Sequence, residues 1–437
     1  MNIRTSLLLA VLLLAGLPAG VGGQTAGGRS FDLGTLQQAA IDTDPRAREL
    51  QLFMQQSDLR LRNISALRLP TVTFDGYAQY QSDVAHLNTV LPGVGALFLP
   101  PKDTFDAGIR VDQRLFDATV GAQRALERAQ LMENQARVRS TLYPLRQQVN
   151  DAFFAAAAVQ ARAGALMATI DDLNARLQET NARVQQGTAL PADAAAIEAT
   201  VLQRQQDLDE VQASRRGALD RLGTLTGQTF AETDMLTIPD LKARVAAARQ
   251  TQATLRARPE YEQFNSTRER IMRQQSLTTA QDRPRLSAYG RAGYGKPGLN
   301  FAQSEFESYA LAGIRLQWNA WTWGSGARER EALALQQQIA SADEEAFARG
   351  LDAATDGDAT AIDRLQRSLA ADERIVTLRE QVARSAQIRL QEGVVTASEY
   401  LDRTAELLQA QFARAGHEVE LAQVSARLLT TLGLEVR

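Results

Sequence analysis

The 437-residue chain has no cysteine, so a disulfide framework, a thiolate metal site and a catalytic thiol are all excluded. Histidine occurs only as His86 and His417, with no partner at metal-ligand spacing. Lysine occurs only as Lys102, Lys242 and Lys296, so arginine carries nearly all the positive charge. The formal net charge is −3 and no basic block interrupts it, which removes the footprint of a nucleic-acid binder. There is no Ser/His/Asp constellation and no phosphate loop. The glycine pattern at 290–295 lies in a strand-like stretch rather than ahead of a helix. Neither catalysis nor a cofactor or metal is expected. After residue 30 nothing approaches the eighteen uninterrupted apolar residues of a membrane helix.

What is present begins with an export signal. Residues 1–23 carry Arg4, an apolar run from Leu7 to Leu17 and small residues at Ala19, Gly20, Gly22 and Gly23. That run suits a signal peptide and is too short to span a bilayer. Cleavage after Gly23 would leave Gln24 first, and with no cysteine there the new N-terminus cannot be lipidated.

The chain then repeats itself. "RVQQGTALPAD" at 183–193 aligns with "RLQEGVVTASE" at 389–399 at an offset of 206, pairing Gly187 with Gly393 and Asp193 with Glu399. The same offset pairs Gly227 with Gly433, and an offset of 205 aligns 110–124 with 315–329. Pro45, Pro70 and Gly76 match Pro259, Pro284 and Gly290 at 214. Blocks in one order mark a tandem duplication. The first repeat is expected over 31–227, an inter-repeat segment over 228–258, and the second repeat over 259–433.

Each repeat has the same order of elements. In the first, a helix over about 36–67 precedes strands at about 70–80 and 106–117. A long helix over 118–186 and a return helix over 191–226 follow. In the second, strands at about 284–294 and 308–320 precede a long helix over 325–392 and a return over 396–432. Val72, Phe74, Gly76, Ala78 and Tyr80 alternate with polar residues, as do Ala107, Ile109, Val111, Gln113 and Leu115. Leu286, Ala288 and Gly290, then Ala310, Ala312, Ile314, Leu316 and Trp318, repeat the pattern. Each segment is long enough to cross a bilayer as a tilted strand. Trp318, Trp321 and Trp323 cluster where the fourth strand ends, with Phe116 in the position equivalent to Trp321, as a membrane-interface girdle would require. If the apolar set faces lipid, Arg110, Asp112, Arg114, Arg315 and Gln317 line a water-filled lumen. Soluble hairpins packed on the helices remain the other reading of this alternation.

The helices read as coiled-coil hairpins. Leu166, Ile170, Leu173, Leu177 and Val184 keep heptad spacing, and Ile197, Val201, Leu208, Val211, Ala218, Leu222 and Leu225 return on a similar frame. Pro144 is expected to bend the first long helix, and Gly350 and Gly357 the second. A helix over 118–186 extends about 104 Å, and the short and return helices end to end about 102 Å. Each half thus supplies two rods of equal height. Four strands cannot close a membrane barrel, and open edges are not tolerated in lipid, so the chain must oligomerise. Three copies give about 12 strands, although two or four copies would also close.

This order of elements resembles the TolC-like outer-membrane efflux protein family over about residues 31–433. The duplicated "G-x5-[DE]" turn, the "LP-x-V" and "RP-x-L" openings of the strand pairs, and the "G-A-R-E-R" start of the second long helix carry the likeness. The resemblance implies a mainly α fold with membrane β. Tandem coiled-coil hairpins would form an α-barrel, and four strands per chain would contribute to a trimeric 12-stranded transmembrane β-barrel. It implies an outer-membrane exit duct with a large periplasmic portion. Its partners would be a periplasmic adaptor and an inner-membrane pump of RND, ABC or MFS type, or a type I secretion system. By the same resemblance the two hairpin turns form the periplasmic entrance, and Asp193, Glu399 and Asp402 match acidic positions there. Thr396 to Glu399 also reads as a capping box, and Asp193 as a first-turn acid that suits the helix dipole. Family members latch the entrance with a Tyr and an Arg, where this chain has Leu390 and Val395. Arg183, Gly187, Arg389 and Gly393 are the candidates for adaptor docking. The segment 82–104, with Leu97, Phe98, Leu99, Pro100 and Pro101, is expected to be the outer loop, and 228–258 to join an equatorial domain. The acidic stretch 351–363 fits no complete calcium loop. A periplasmic scaffold or adaptor without a barrel is the rival reading.

Overall fold

The computed structural model describes residues 28–84, 100–251, 256–299 and 304–436. The expected leader 1–23, His86, and Leu97, Phe98 and Leu99 of the outer loop lie outside the described residues.

Strand β1 (Ser30–Phe31) leads into α1 (Leu33–Thr43), which Asp32 caps by accepting the Thr35 N–H at 2.9 Å. The single helix expected over 36–67 is divided. Asp44 is extended, a 3-10 turn covers Pro45–Arg48, and α2 (Glu49–Ala66) resumes beyond it. Proline suits the start of a turn because it fixes φ and has no N–H to offer the preceding one. Strands β2 (Thr71–Tyr80) and β3 (Asp103–Phe116) follow, then α3 (Ala118–Leu142), α4 (Leu145–Gln185) and the return helix α5 (Pro191–Thr226). Between the repeats lie β4 (Met235–Leu236) and α6 (Lys242–Thr251). The second repeat runs α7 (Pro259–Gln281), β5 (Arg285–Lys296), β6 (Glu307–Gln317), α8 (Ser325–Gln391) and α9 (Ala397–Thr431).

The two long helices answer their breakers differently. Pro144 separates α3 from α4, because proline removes a ladder donor and crowds the preceding turn. Gly350 and Gly357, expected to bend the second long helix, lie inside the unbroken α8. A glycine costs a helix about 1 kcal/mol but keeps its N–H, so the ladder runs through it. Two of the four acids in the acidic stretch take part in helix pairing. Asp358 is buried and accepts from Arg427 Nε at 2.7 Å, while Asp363 meets Arg249 at 3.0 Å. These carboxylates tie α8 to α9 and to α6.

Near the sheet the helices stand side by side in the order α2, α3, α7, α8; farther away the order is α5, α4, α9, α8. The largest apolar cluster lies where both repeats converge. It gathers Leu36 of α1, Phe153 of α4, Leu222 of α5, Leu365 of α8 and Leu428 of α9. A buried polar chain threads it: Gln37 Nε2 donates to Asn150 Oδ1 at 2.6 Å, and Asn150 Nδ2 to Thr430 Oγ1 at 3.0 Å. Both orders of helices rest on this belt.

The inter-repeat segment is fastened to the belt by β1, which pairs in parallel with β4. Asp234 makes the knot, accepting from the Arg29 N–H, Arg29 Nη2 and the Ala231 N–H at 2.9 Å each. The Arg29 hydrogen bond is the main cause that holds the Asp234 carboxyl down at about 2, from an ordinary 3.8. A depressed carboxylate stabilises above its unfolded pKa, and that stability is lost as pH falls through the folded value. Asp234→Asn is therefore expected to cost about 2 kcal/mol at neutral pH. Its denaturant midpoint should converge on wild type as pH falls from about 4 towards about 2. A constant gap across that range would sink the assignment.

Candidate functional site: the sheet and the helix-hairpin turns

The four long strands form one antiparallel sheet in the order β2-β3-β5-β6, so the repeats meet at its centre. Register fixes the two faces. Phe74 stands opposite Ile109, Ile109 opposite Ala292, and Ala292 opposite Ala310, all on one apolar face. Thr73, Arg110, Arg291 and Leu311 run across the other face, which also carries Asp112, Arg114, Arg315 and Gln317. A bulge between Arg114 and Phe116 corrects one expectation. Phe116, not Leu115, stands opposite Leu286 on the apolar face, because the extra residue reverses the alternation.

The polar face holds a charge cluster. Arg291 pairs with Asp75 at 2.8 Å and with Asp106, and the Tyr309 hydroxyl donates to Asp106. Arg315 sits 4.9 Å from the ring centre of Tyr289. Glycine makes room for both rings: a Cβ on Gly293 would lie 2.6 Å from the Tyr309 ring, and one on Gly313 2.7 Å from the Tyr289 hydroxyl. Within the glycine pattern at 290–295 this explains Gly293, while Gly295 faces the Phe105 carbonyl, 2.9 Å from where a Cβ would lie. The sequence alone missed Arg291; its register opposite Arg110 was the available sign.

The fourth strand ends at Gln317, earlier than the expected 320, so the tryptophans lie at and beyond its exit. Trp318 donates its indole N–H to the Asp282 carbonyl at 3.0 Å. Trp321 and Trp323 meet edge to face with centroids 5.9 Å apart and are largely exposed. Phe116 closes β3 and is half exposed.

At the opposite end of the molecule the hairpin turns come together. Gly187 has φ 76° and Gly393 φ 70°, the left-handed conformation that ends a helix and favours glycine. The caps repeat bond for bond: the Thr188 N–H donates to the Arg183 carbonyl, and the Val394 N–H to that of Arg389. Thr396 starts α9 by accepting the Glu399 N–H at 3.3 Å, which is the N-cap half of the expected capping box. Between the turns opens a cavity of about 380 Å³, lined by Arg183, Thr188, Leu190, Asp193, Leu390 and Val395 among others.

Asp193 does more than complement the dipole of α5. Its carboxylate accepts the Ala397 N–H of α9 at 3.1 Å, capping the other repeat's return helix. Arg183 Nη1 donates to the Leu390 carbonyl at 3.4 Å, and Gln391 Nε2 to Glu179 at 2.9 Å. Leu390 packs against an apolar cluster that includes Leu173, Ile197 and Tyr400. Glu399 and Asp402 are exposed and are not drawn to Asp193.

Sequence reading missed the buried Tyr400, whose hydroxyl donates to Asp172 Oδ2 at 3.0 Å across from α9 to α4. Burial, and then the Asp172 charge, push that hydroxyl up to about 12 from an ordinary 10. A raised tyrosine stabilises fully below its unfolded pKa and loses that stability as pH rises through the folded one. Tyr400→Phe is expected to cost about 1 kcal/mol at neutral pH. The variant should also lack the wild type's extra decline in unfolding free energy above pH about 10. Unchanged alkaline behaviour would contradict the tie.

Residues 38–228 match the outer membrane efflux protein family. That match covers the first repeat, less than half of the chain. No curated protein sequence matches the chain. Among solved structures, the outer membrane protein VceC from Vibrio cholerae is 16% identical with TM-score 0.62, covering 93% of this chain and 97% of that one. The open state of the MtrE outer membrane channel of Neisseria gonorrhoeae is also 16% identical, with TM-score 0.62, and covers 93% and 89%. The CmeC outer membrane channel of Campylobacter jejuni is 13% identical with TM-score 0.58, covering 92% and 86%. At such identities the likeness is one of fold: long helices under a strand layer.

Proposed function

We propose that three copies of the chain close head to tail into one tube, the passive outer-membrane exit duct of a tripartite export system. Its two open edges carry the reading. One edge is β6 continued by α8; the other is β2, with α2 near the sheet and α5 beyond. Alternating strand directions let β6 of one copy pair antiparallel with β2 of the next, which removes the edges that lipid forbids. The helical edges match. Leu335, Ile339, Ile375, Leu378 and Val382 are exposed along α8, and Leu52, Leu59 and Leu202 along α2 and α5. Leu202 is the repeat counterpart of Leu408, which is buried against Ala163, Leu166 and Val211. The seat that α9 finds within the chain, α5 needs from a neighbour. Such a contact is heterologous and closes as a ring.

In the trimer Arg110, Asp112, Arg114, Arg315 and Gln317 line the β-barrel lumen, and mixed signs there make a general aqueous exit. Phe116, Trp318, Trp321 and Trp323 form the interface girdle. Asp193, Glu399 and Asp402, with Leu390 and Val395, surround the periplasmic entrance. The turns at Arg183–Gly187 and Arg389–Gly393 dock a periplasmic adaptor that links the duct to an RND, ABC or MFS pump or to a type I secretion apparatus. Transport of this kind needs no catalytic chemistry. The test is to extract the protein from membranes in detergent and image single particles. Three-fold hollow tubes with α8 rods of about 100 Å are expected. Soluble, elongated monomers would replace the duct with a periplasmic scaffold.

A further inference from the structure

From the repeat that relates the two halves of the sheet, we infer that its charge cluster is a site shared between copies. Arg315 of the neighbouring chain completes it, in one fixed register of β6 on β2. The inference rests on the ring reading above. Strands β2 and β5 match at an offset of 214, and β3 and β6 at 205. The ladders obey the same offsets: Thr71 stands opposite Asp112, and their counterparts Arg285 and Gln317 stand opposite each other. The central ladder, β3 on β5, therefore supplies the pattern for the one ladder a single chain cannot make. Its pair Arg110 and Arg291 becomes Arg315 and a neighbour's Tyr77. Asp112 and Tyr289 become Gln317 and a neighbour's Asp75.

That register comes from offsets alone, and the chemistry of both faces agrees with it. Asp75 is the only charged residue on the polar face of β2, and Arg315 the only cation on that of β6. The register sets Asp75 directly opposite Gln317 and diagonal to Arg315, a spacing that long side chains bridge. Asp75 already holds Arg291 at 2.8 Å and keeps about a third of its side chain exposed on the edge strand. Arg315 rests on the Tyr289 ring and makes no ion pair among the described residues. On the apolar face large meets small: Leu316 stands opposite Gly76, Ile314 opposite Ala78, and Tyr80 opposite Ala312. Leu316, Ile314 and Tyr80 are each more than two-thirds exposed in the single chain.

Other registers fail on one face or the other. A slip of one residue turns every apolar side chain into the lumen. A slip of two in one direction sets Leu316 on Phe74 and Ala312 on Ala78, large on large and small on small. A slip of two in the other sets Ile314 on Tyr80 and takes Asp75 away from Gln317. An exposed ion pair contributes little stability, so the tie selects the register rather than holding the ring together. At each seam Asp75 links β6 of one copy, through Arg291, to β5 of the next.

The absence of cysteine lets this register be read directly. The proposed ladder sets Leu311 opposite a neighbour's Gln81, on the lumen side where an oxidant in water reaches both. Leu311→Cys with Gln81→Cys is oxidised in native membranes. It is compared with Leu311→Cys with Gln79→Cys and Leu311→Cys with Asp83→Cys, the partners in the two slips of two residues. A disulfide needs Cα atoms within about 7 Å, which opposite positions satisfy and diagonal ones exceed. On non-reducing gels the Gln81 variant should therefore form linked dimers and trimers at least about tenfold more than the others. Arg315→Asp sets two acids together. It should yield fewer closed rings at about 0.05 M salt than at about 1 M, where the screening length falls to about 3 Å. Stronger linking through Gln79 or Asp83, no linking in any variant of a three-fold particle, or Arg315→Asp rings as abundant as wild type at both salts overturns the shared site and leaves the duct standing. Wild-type particles that are not closed rings overturn the duct reading, and the shared site with it.

Discussion

Leu202→Glu is expected to leave a folded chain that forms no ring. Leu202 is 56% exposed on α5, so within one chain the glutamate meets water and costs little. In the ring the same position is covered by α8 and α9 of the neighbouring copy. Its repeat counterpart Leu408 is 4% exposed against Ala163, Leu166 and Val211, and the offset of 206 turns those neighbours into Leu369, Asp372 and His417 around Leu202. A carboxylate taken out of water beside the Asp372–His417 pair costs several kcal/mol, and a closed ring meets that cost at every seam. Leu202→Ala removes the apolar contact without adding charge and should weaken assembly by about 2 kcal/mol per seam. The mass of the detergent-extracted particle, measured beside far-ultraviolet circular dichroism, separates loss of assembly from loss of fold. Glutamate-bearing trimers at wild-type yield would place the seam elsewhere and remove the main support for the tube.

The repeat made much of this legible before any coordinates. Gly187 and Gly393 share one cap because the turn needs the same left-handed residue twice, and alternation through Val72 to Tyr80 fixed which strand face is apolar. What the sequence hid depends on register between distant segments. Arg291 gains meaning only when β5 pairs with β3 and brings it to Asp75 and Asp106. Tyr400 and Asp172 stand 228 positions apart, each unremarkable in its own heptad frame. The two expected breakers act differently for a local reason: Pro144 and Gly350 both disfavour a helix by propensity, but only proline removes a hydrogen-bond donor. Leu115 fell on the wrong face because alternation cannot reveal a bulge.

The acidic stretch is where the hidden pairing has its largest local consequence, and Arg427→Leu exposes it. Asp358 is 5% exposed on α8, and Arg427 of α9 reaches it through both Nε and Nη2, at 2.7 and 2.6 Å. Leucine at 427 fills much of the arginine stem's volume but strands a buried carboxylate. Removing one partner of such a pair costs about 3 kcal/mol, chiefly as the penalty on the charge left behind. The penalty belongs to Asp358, so removing that charge as well should return most of the loss. The double variant Arg427→Leu, Asp358→Leu is accordingly expected within about 1 kcal/mol of wild type. Denaturant midpoints of wild type, the two single variants and the double variant close the cycle. Recovery in the double variant assigns the acids of 351–363 to helix pairing around the belt. A double variant that loses as much as the sum of its parts would show that Arg427 stabilises α9 through contacts other than Asp358. The acidic stretch would then need an explanation from the lumen side of the tube, where an α8 carboxylate would meet passing cargo rather than a neighbouring helix.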